Sequence, residues 1–388
     1  MHKSEKKMTW IDEYNNGKLQ VSVETTTMCN AKCPQCQRSQ SFNYNRDGVV
    51  RSNDVMSWIP KYHWDVDRFS RYFTPDVVKK LQHINFSGDH SDPMMNPHIV
   101  DILEYIYDVD KHMKITISTN GSMRDEVWWF NLGLLDFDKF EIIFAIDGVD
   151  QEMHERYRAN TKLQKVLDNM KSFVRGGGTA ESFTVLFKHN QDYLEEICDL
   201  AKSYGATKHD WVESIRFKRS SIFEYTENGE HKVLEQVVPK AQSVGARAVD
   251  DRNDASNEVI EYKSKKHEGK EDRGRRIVID HRSNFKTYDA IQCGWLDRSF
   301  MQVDSQGYLW PCCFWMCRQY KRDWEKHFDQ DYYPGEAGKY VLENTSKMNM
   351  EYHTFEEILQ NEWYADILPN SWDTTPCLVC VRACGYKK

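Results

Sequence analysis

The chain has 388 residues, of which 40% are hydrophobic and 29% charged, which excludes a disordered or fibrous protein and allows one large domain plus a smaller one. A net charge of −8 speaks against a protein that grips nucleic acid chiefly through phosphates, and no apolar run approaches the roughly 20 residues that cross a bilayer. The polar start, Met1 to Trp10, carries no apolar secretory core, so a cytoplasmic protein without membrane or nucleic-acid partners is expected.

Residues 1–18 read as a short extension. The first strand is expected over Leu19–Thr25, apolar and β-branched. Directly after it, Cys29, Cys33 and Cys36 follow a C-x3-C-x2-C spacing. In a reducing compartment disulfides are rare, and clustered cysteines read as metal ligands. Three thiolates on one short loop suit three irons of a cubane that normally takes four cysteines. The fourth iron is then open, as catalytic metal sites keep an open position. A zinc site with another ligand is the alternative.

Further strands are expected at His83–Ser87, Lys114–Ser118, Glu141–Ile146, Phe183–Phe187 and Ser214–Phe217. Between them, Ile99, Ile102, Leu103 and Ile106, then Leu163, Val166, Leu167 and Met170, then Leu194, Ile197, Cys198 and Ala201, recur at helical spacing. Cys198 is read as a core residue on that face. Strands alternating with helices imply parallel βαβ units. Six units are too few for a closed eight-stranded barrel, so the fold class is α/β, a partial (β/α)6 TIM-like barrel over 19–217 with its site at the C-terminal strand ends.

Those strand ends are polar. Ser91-Asp92-Pro93 follows the second strand, and Ser118-Thr119-Asn120-Gly121 the third. Asp147-Gly148 follows the fourth, with Arg158 beyond it, and Phe187, His189 and Asn190 end the fifth. Each also has a plainer reading: Asp-Pro and Asn-Gly make turns, Arg158 suits a surface ion pair, and His189 a structural hydrogen bond. Residues 218–290 form a charged insertion or linker, densest at Lys263–Arg276. They are either a solvated segment or a basic face for an anionic partner.

From 291 to 388 the cysteines return as a small cysteine-rich α+β domain. Cys293, Gly307 and Cys312 are followed by Cys377, Cys380 and Cys384. Phe300–Val303 and Tyr308–Trp310 flank a turn at Asp304–Gly307, the pattern of a hairpin.

Together these features resemble the radical S-adenosylmethionine (SAM) superfamily, whose signature is the C-x3-C-x2-C loop after strand 1. The C-terminal region resembles the SPASM and twitch extensions of those enzymes. The resemblance implies a [4Fe–4S] cluster on Cys29, Cys33 and Cys36 that holds SAM and cleaves it reductively to a 5′-deoxyadenosyl radical. It implies that Ser91, Asp92, Pro93, Ser118, Asn120, Asp147 and Arg158 line the SAM site. One departure is Gln35, where the family often has an aromatic residue against adenine. The resemblance further implies one auxiliary [4Fe–4S] cluster on Cys293, Cys312, Cys377 and Cys380, with Cys384 able to replace one of them. A second auxiliary cluster using Cys313 and Cys317 is the alternative, and so is a zinc ribbon. The expected partners are a substrate and an electron donor such as flavodoxin or ferredoxin. The expected reaction is hydrogen abstraction from a peptide or protein side chain. The alternatives are the same chemistry on a nucleotide, sugar or other small molecule, and a non-enzymatic zinc-stabilised adaptor.

Overall fold

The computed structural model describes residues 8–41, 49–57, 59–214, 216–217, 220–238, 290–316, 336–374, 376–377, 379–380 and 384–386. The Lys263–Arg276 stretch and Cys317 lie outside the described residues.

In chain order the elements begin α1 (Trp10–Asn15), β1 (Gln20–Val23), α2 (Val66–Tyr72), α3 (Pro75–Lys80), β2 (His83–Phe86) and α4 (Ile99–Val109). Next come β3 (Lys114–Thr119), α5 (Glu126–Gly133), β4 (Phe140–Ala145), α6 (Gln151–Glu155), α7 (Leu163–Arg175), β5 (Thr179–Leu186), α8 (Leu194–Ser203) and β6 (Lys208–Glu213). The chain continues through β7 (Ile222–Glu227), β8 (Glu230–Glu235), β9 (Ala290–Ile291), β10 (Phe300–Val303) and β11 (Leu309–Trp310).

The chain divides into two compact units. One holds the described parts of Met1–Val23, Asp67–Ile84 and Asn253–Lys388; the other holds those of Glu24–Val66 and Asn85–Arg252. In the first unit β1 pairs parallel with β10, Val21 opposite Met301, and β10 pairs antiparallel with β11. The expected hairpin at Asp304–Gly307 is therefore formed. Asp304 makes its turn: it is fully buried and accepts from Gln306 N, Tyr308 N and Trp310 Nε1 at 2.9, 3.0 and 2.6 Å.

In the second unit β3, β4, β5 and β6 are neighbours in a parallel sheet. Ser118 is opposite Ile143, Ile143 opposite Glu181, and Glu181 opposite Lys208. On the other face Trp129, Phe140, Phe144 and Phe173 pack ring against ring beneath α5 and α7. Gly121 turns the chain after β3 at φ +69°, where an added Cβ would meet Phe144 at 2.7 Å, so glycine is required there. The parallel α/β architecture is as expected, with no closed barrel among the described residues.

Two readings need correction. The sixth strand is Lys208–Glu213, not Ser214–Phe217. Lys208 and Asp210 face the same side as Glu181; Lys208 Nζ lies 2.5 Å from Asp210 and 4.0 Å from Glu181. The strand's charges satisfy one another inside the sheet, so it lacks an apolar signature. Cys198 is half-exposed rather than in the core, and it sits beside Lys202.

The charged segment also contains structure. β7 and β8 form a hairpin on an Asn228-Gly229 turn with both residues at positive φ. Phe223, Tyr225 and Leu234 of this hairpin are buried against Ala31, Cys33, Tyr157 and Phe187.

Candidate active site

The first cysteine group lies wholly in the second unit. Its loop is fixed from both sides by backbone bonds. Lys32 N donates to Ala159 O at 2.8 Å, Asp92 N to Met28 O at 2.8 Å, and Cys36 N to Cys33 O at 3.0 Å. All three thiols are free. Burial raises the Cys29 thiol, reinforced by the Asp92 carboxylate and the other two sulfurs and opposed by the Arg38 guanidinium. Burial likewise pushes Cys33 up to about 11, against the pull of Arg158. The three sulfurs thus sense one another, although among the described residues no three His, Cys, Asp or Glu side chains form a cage for a single ion.

Polar groups from three strand ends converge on this loop. Asn120 Nδ2 lies 3.6 Å from Cys29 Sγ and donates to Asn30 Oδ1 at 3.0 Å, while Asn120 Oδ1 accepts from Ser122. Asp92 is buried and holds the turns together: it accepts from Met94 N at 3.0 Å, Asn120 N at 2.7 Å and Thr119 Oγ1 at 2.9 Å. Burial raises its carboxyl despite these donors. Pro93 opens the helical turn that Asp92 caps. Ser91 Oγ donates to Glu24 Oε1 at 2.9 Å, which also accepts from His90 N at 2.8 Å. Ser118 is half-buried on β3.

Asp147 is fully buried, accepts from Val185 N at 2.6 Å and pairs with Arg158 Nε. The Arg158 guanidinium reaches Cys33 and lies over the Tyr157 ring, 4.9 Å from its centre. Asn190 is structural, donating to Asp147 O and Val185 O at 3.1 Å each.

Sequence reasoning missed two neighbours of the loop, Arg38 and the β7–β8 hairpin, and the way Gln35 is buried within it. Arg38 is 6% exposed and its Nη1 donates to Thr27 O at 2.6 Å and His90 O at 2.5 Å. Gln35 is fully buried, with Oε1 accepting from Ser214 at 2.6 Å and its carbonyl from Arg216 at 2.8 Å. The β7–β8 hairpin reaches the loop region through Asn53, whose Nδ2 donates to Lys32 O and Glu227 at 2.9 Å each. The Asn228-Gly229 pair between alternating apolar residues was a usable hairpin signal; nothing in the sequence marked Arg38 as buried.

The second cysteine group lies in the first unit. Cys293, Cys312, Cys380 and Cys384 line one cavity with Trp10, Trp295, Trp315 and Trp372. Cys377 is buried with its sulfur 3.6 Å from that of Cys380. Burial, with the nearby sulfurs, raises the thiols of Cys293 and Cys312. Cys313 follows Cys312 on a short helix, half-exposed.

The family profile described as Radical SAM superfamily matches residues 23–201. Residues 23–201 thus carry a radical SAM superfamily domain. Members of that superfamily are enzymes that use a [4Fe–4S] cluster and SAM. A comparison with curated proteins finds no match. Among solved structures, SuiB of Streptococcus suis bound to precursor peptide SuiA shares the fold, with TM-score 0.51, 11% identity, 96% of this chain and 72% of that chain covered. The SAM-bound SuiB structure gives TM-score 0.47 at 12% identity, covering 77% of this chain and 61% of that one. Thus the chain spans less than two thirds of that SuiB chain's length. The anSMEcpe structure with bound AdoMet gives TM-score 0.47 at 14% identity, covering 91% and 80%.

The residues present fit the radical SAM cofactors. The donor set is three thiols on one loop, with no other metal-binding side chain competing within it. Beside them the buried Arg38 has no carboxylate within salt-bridge distance among the described residues, and its Nε is unpartnered there. A buried cation without an anion is costly, and a thiolate-ligated cluster held by these cysteines would supply the missing negative charge.

Proposed function

We propose that this radical SAM enzyme binds its cluster through Cys29, Cys33 and Cys36, and SAM beside them against Ser91, Asp92, Pro93, Ser118, Asn120, Asp147 and Arg158. The observation that carries this is the contact between the third-strand Asn120 and Cys29, with Asp92 tying both turns to the same loop. The bound cofactors supply reductive carbon–sulfur cleavage and a carbon radical that takes hydrogen from substrate. The chain's own groups do the positioning. Asn120 orients the Cys29 side of the loop, the Asp147–Arg158 pair holds a cation at Cys33, and Phe223, Tyr225 and Leu234 exclude water from the Cys33 face.

An auxiliary [4Fe–4S] cluster is assigned to the second group. Cys293, Cys312, Cys380 and Cys384 share one cavity wall, which supports Cys384 as fourth ligand with Cys377 alongside. A twitch-like domain over 291–388 is the corresponding domain reading. The substrate reading is a peptide or protein side chain; its support is the fold shared with a SuiB structure that holds a precursor peptide. The electron donor is of flavodoxin or ferredoxin type.

The test is anaerobic reconstitution, iron counting and assay of 5′-deoxyadenosine from SAM. About eight irons per chain, with the product lost in Cys29→Ala, is the expected result. Loss of about four irons in Cys384→Ala but not in Cys377→Ala supports the cavity ligand set. Zinc in place of iron and no deoxyadenosine would overturn the assignment and leave a zinc-stabilised adaptor.

A further inference from the structure

Three arginines surround the cysteine loop of the second unit, and they are not equivalent. Arg158 is paired with buried Asp147. Arg216 is half-buried and donates to the Gln35 carbonyl. Arg38 is buried, and among the described residues its hydrogen-bond partners are two backbone carbonyls, Thr27 O and His90 O. Those carbonyls sit on the two segments that bracket the site, one just before Cys29 and the other just before Ser91-Asp92.

Two neutral acceptors do not balance a buried guanidinium. Holding it uncompensated in a protein interior costs several kcal/mol. Its position ties it to the cysteine loop: Arg38 follows Cys36 by two residues, and its guanidinium is anchored on the carbonyl of Thr27, two residues before Cys29. His90, beside it, is held neutral: burial and the charges of Arg38 and Arg216 lower its imidazole to about 3.

We propose that Arg38 is the charge-compensating residue of the SAM-binding cluster, placed so that the one-electron reduction of that cluster is favoured. The inference rests on the cluster assignment above. The step is the transfer of one electron from an external one-electron reductant, such as a reduced flavodoxin, to the oxidised cluster. No bond is made or broken. The cluster gains one negative charge, and a fixed cation nearby stabilises the reduced form more than the oxidised one. Guanidinium suits the place because it stays protonated when buried and its fork reaches both carbonyls.

The experiment is a potentiometric titration of the reconstituted full-length enzyme, followed by electron paramagnetic resonance. The signal followed is the part that changes on adding SAM, which separates this cluster from any other. Arg38→Gln and Arg38→Met are expected to shift the oxidised-to-reduced ratio at a set potential at least tenfold toward oxidised, which is about 59 mV for a one-electron couple. Arg38→Lys keeps the charge and is expected to stay close to the wild type. A clip that merely joins Thr27 to His90 would leave the potential unmoved, and that result overturns the proposal. So does an Arg38→Lys shift as large as that of Arg38→Met. Iron content gives a second readout. Uptake in Arg38→Lys but not in the two neutral variants supports the charge role, whereas failed uptake in all three overturns it. If the wild type itself shows no SAM-responsive signal, the cluster assignment fails rather than the role of Arg38.

Discussion

Replacing Asp147 by asparagine isolates the buried ion pair of the site. Asp147 is fully buried, and the Arg158 side chain is 17% exposed. Removing one partner of such a pair costs about 3–5 kcal/mol, because a buried charge is left unpaired. Asparagine keeps a carbonyl oxygen for Val185 N, now at 2.6 Å, so the lower end applies, about 3 kcal/mol. Amide hydrogen exchange in Thr179–Leu186 reads this locally, without assuming that the whole chain unfolds at once. Exchange at Val185 is expected to accelerate by about a hundredfold, the factor that about 3 kcal/mol gives. Arg158→Met in the Asp147→Asn background removes the orphaned cation, so the double variant is expected to recover about 2 kcal/mol relative to additivity. An Asp147→Asn rate within fivefold of the wild type, or additivity within about 0.5 kcal/mol, would refute the pairing argument.

Acid sensitivity follows from four histidines of the second unit. Burial is the main cause for each and lowers His90 to about 3 and His154, His189 and His209 to about 4. A base whose folded value lies below its unfolded one, about 6.5, contributes stability that is complete above that value and is lost as pH falls toward the folded value. Near-UV circular dichroism is expected to hold from pH 8 to about 6.5 and fall steeply toward pH 4; a flat profile contradicts this. Gly88→Ala drives a Cβ into Ser91 Oγ and places it 2.7 Å from Ser91 O and 2.8 Å from Glu24 Oε1. SAM affinity by equilibrium dialysis is expected to fall at least about tenfold with the fold intact, one order being about 1.4 kcal/mol; unchanged affinity removes the 88–91 turn from the site. Leu234→Ala opens a gap in the hairpin core at a local cost of about 2–5 kcal/mol. The iron–sulfur absorbance is expected to bleach several-fold faster in air, and an unchanged lifetime would mean that the hairpin does not shield the Cys33 face.

What the sequence disclosed depended on distance along the chain. The cysteine spacing is local chemistry, and five strands showed themselves because their burial is apolar. β6 did not, since its buried Lys208 pairs with half-buried Asp210 and with Glu181 on the adjacent strand. A one-dimensional pattern counts those charges as surface. The β7–β8 hairpin was hidden by glutamates and lysines on its outer positions, although Phe223, Tyr225 and Leu234 alternate correctly for one buried face.

The contacts that make the cysteine loop a site lie further apart still. Gln35 meets Ser214 across 179 positions, Asn30 meets Asn120 across 90, and Arg38 meets the carbonyl of His90 across 52. Arginine is rarely buried, so a reader of the sequence assigns Arg38 to solvent. Only the fold shows it enclosed, with its guanidinium on two carbonyls. That is why the candidate cysteines were legible and their electrostatic setting was not: the cysteine pattern is written in spacing, whereas the charge around it is set by chain segments that meet only in the folded unit.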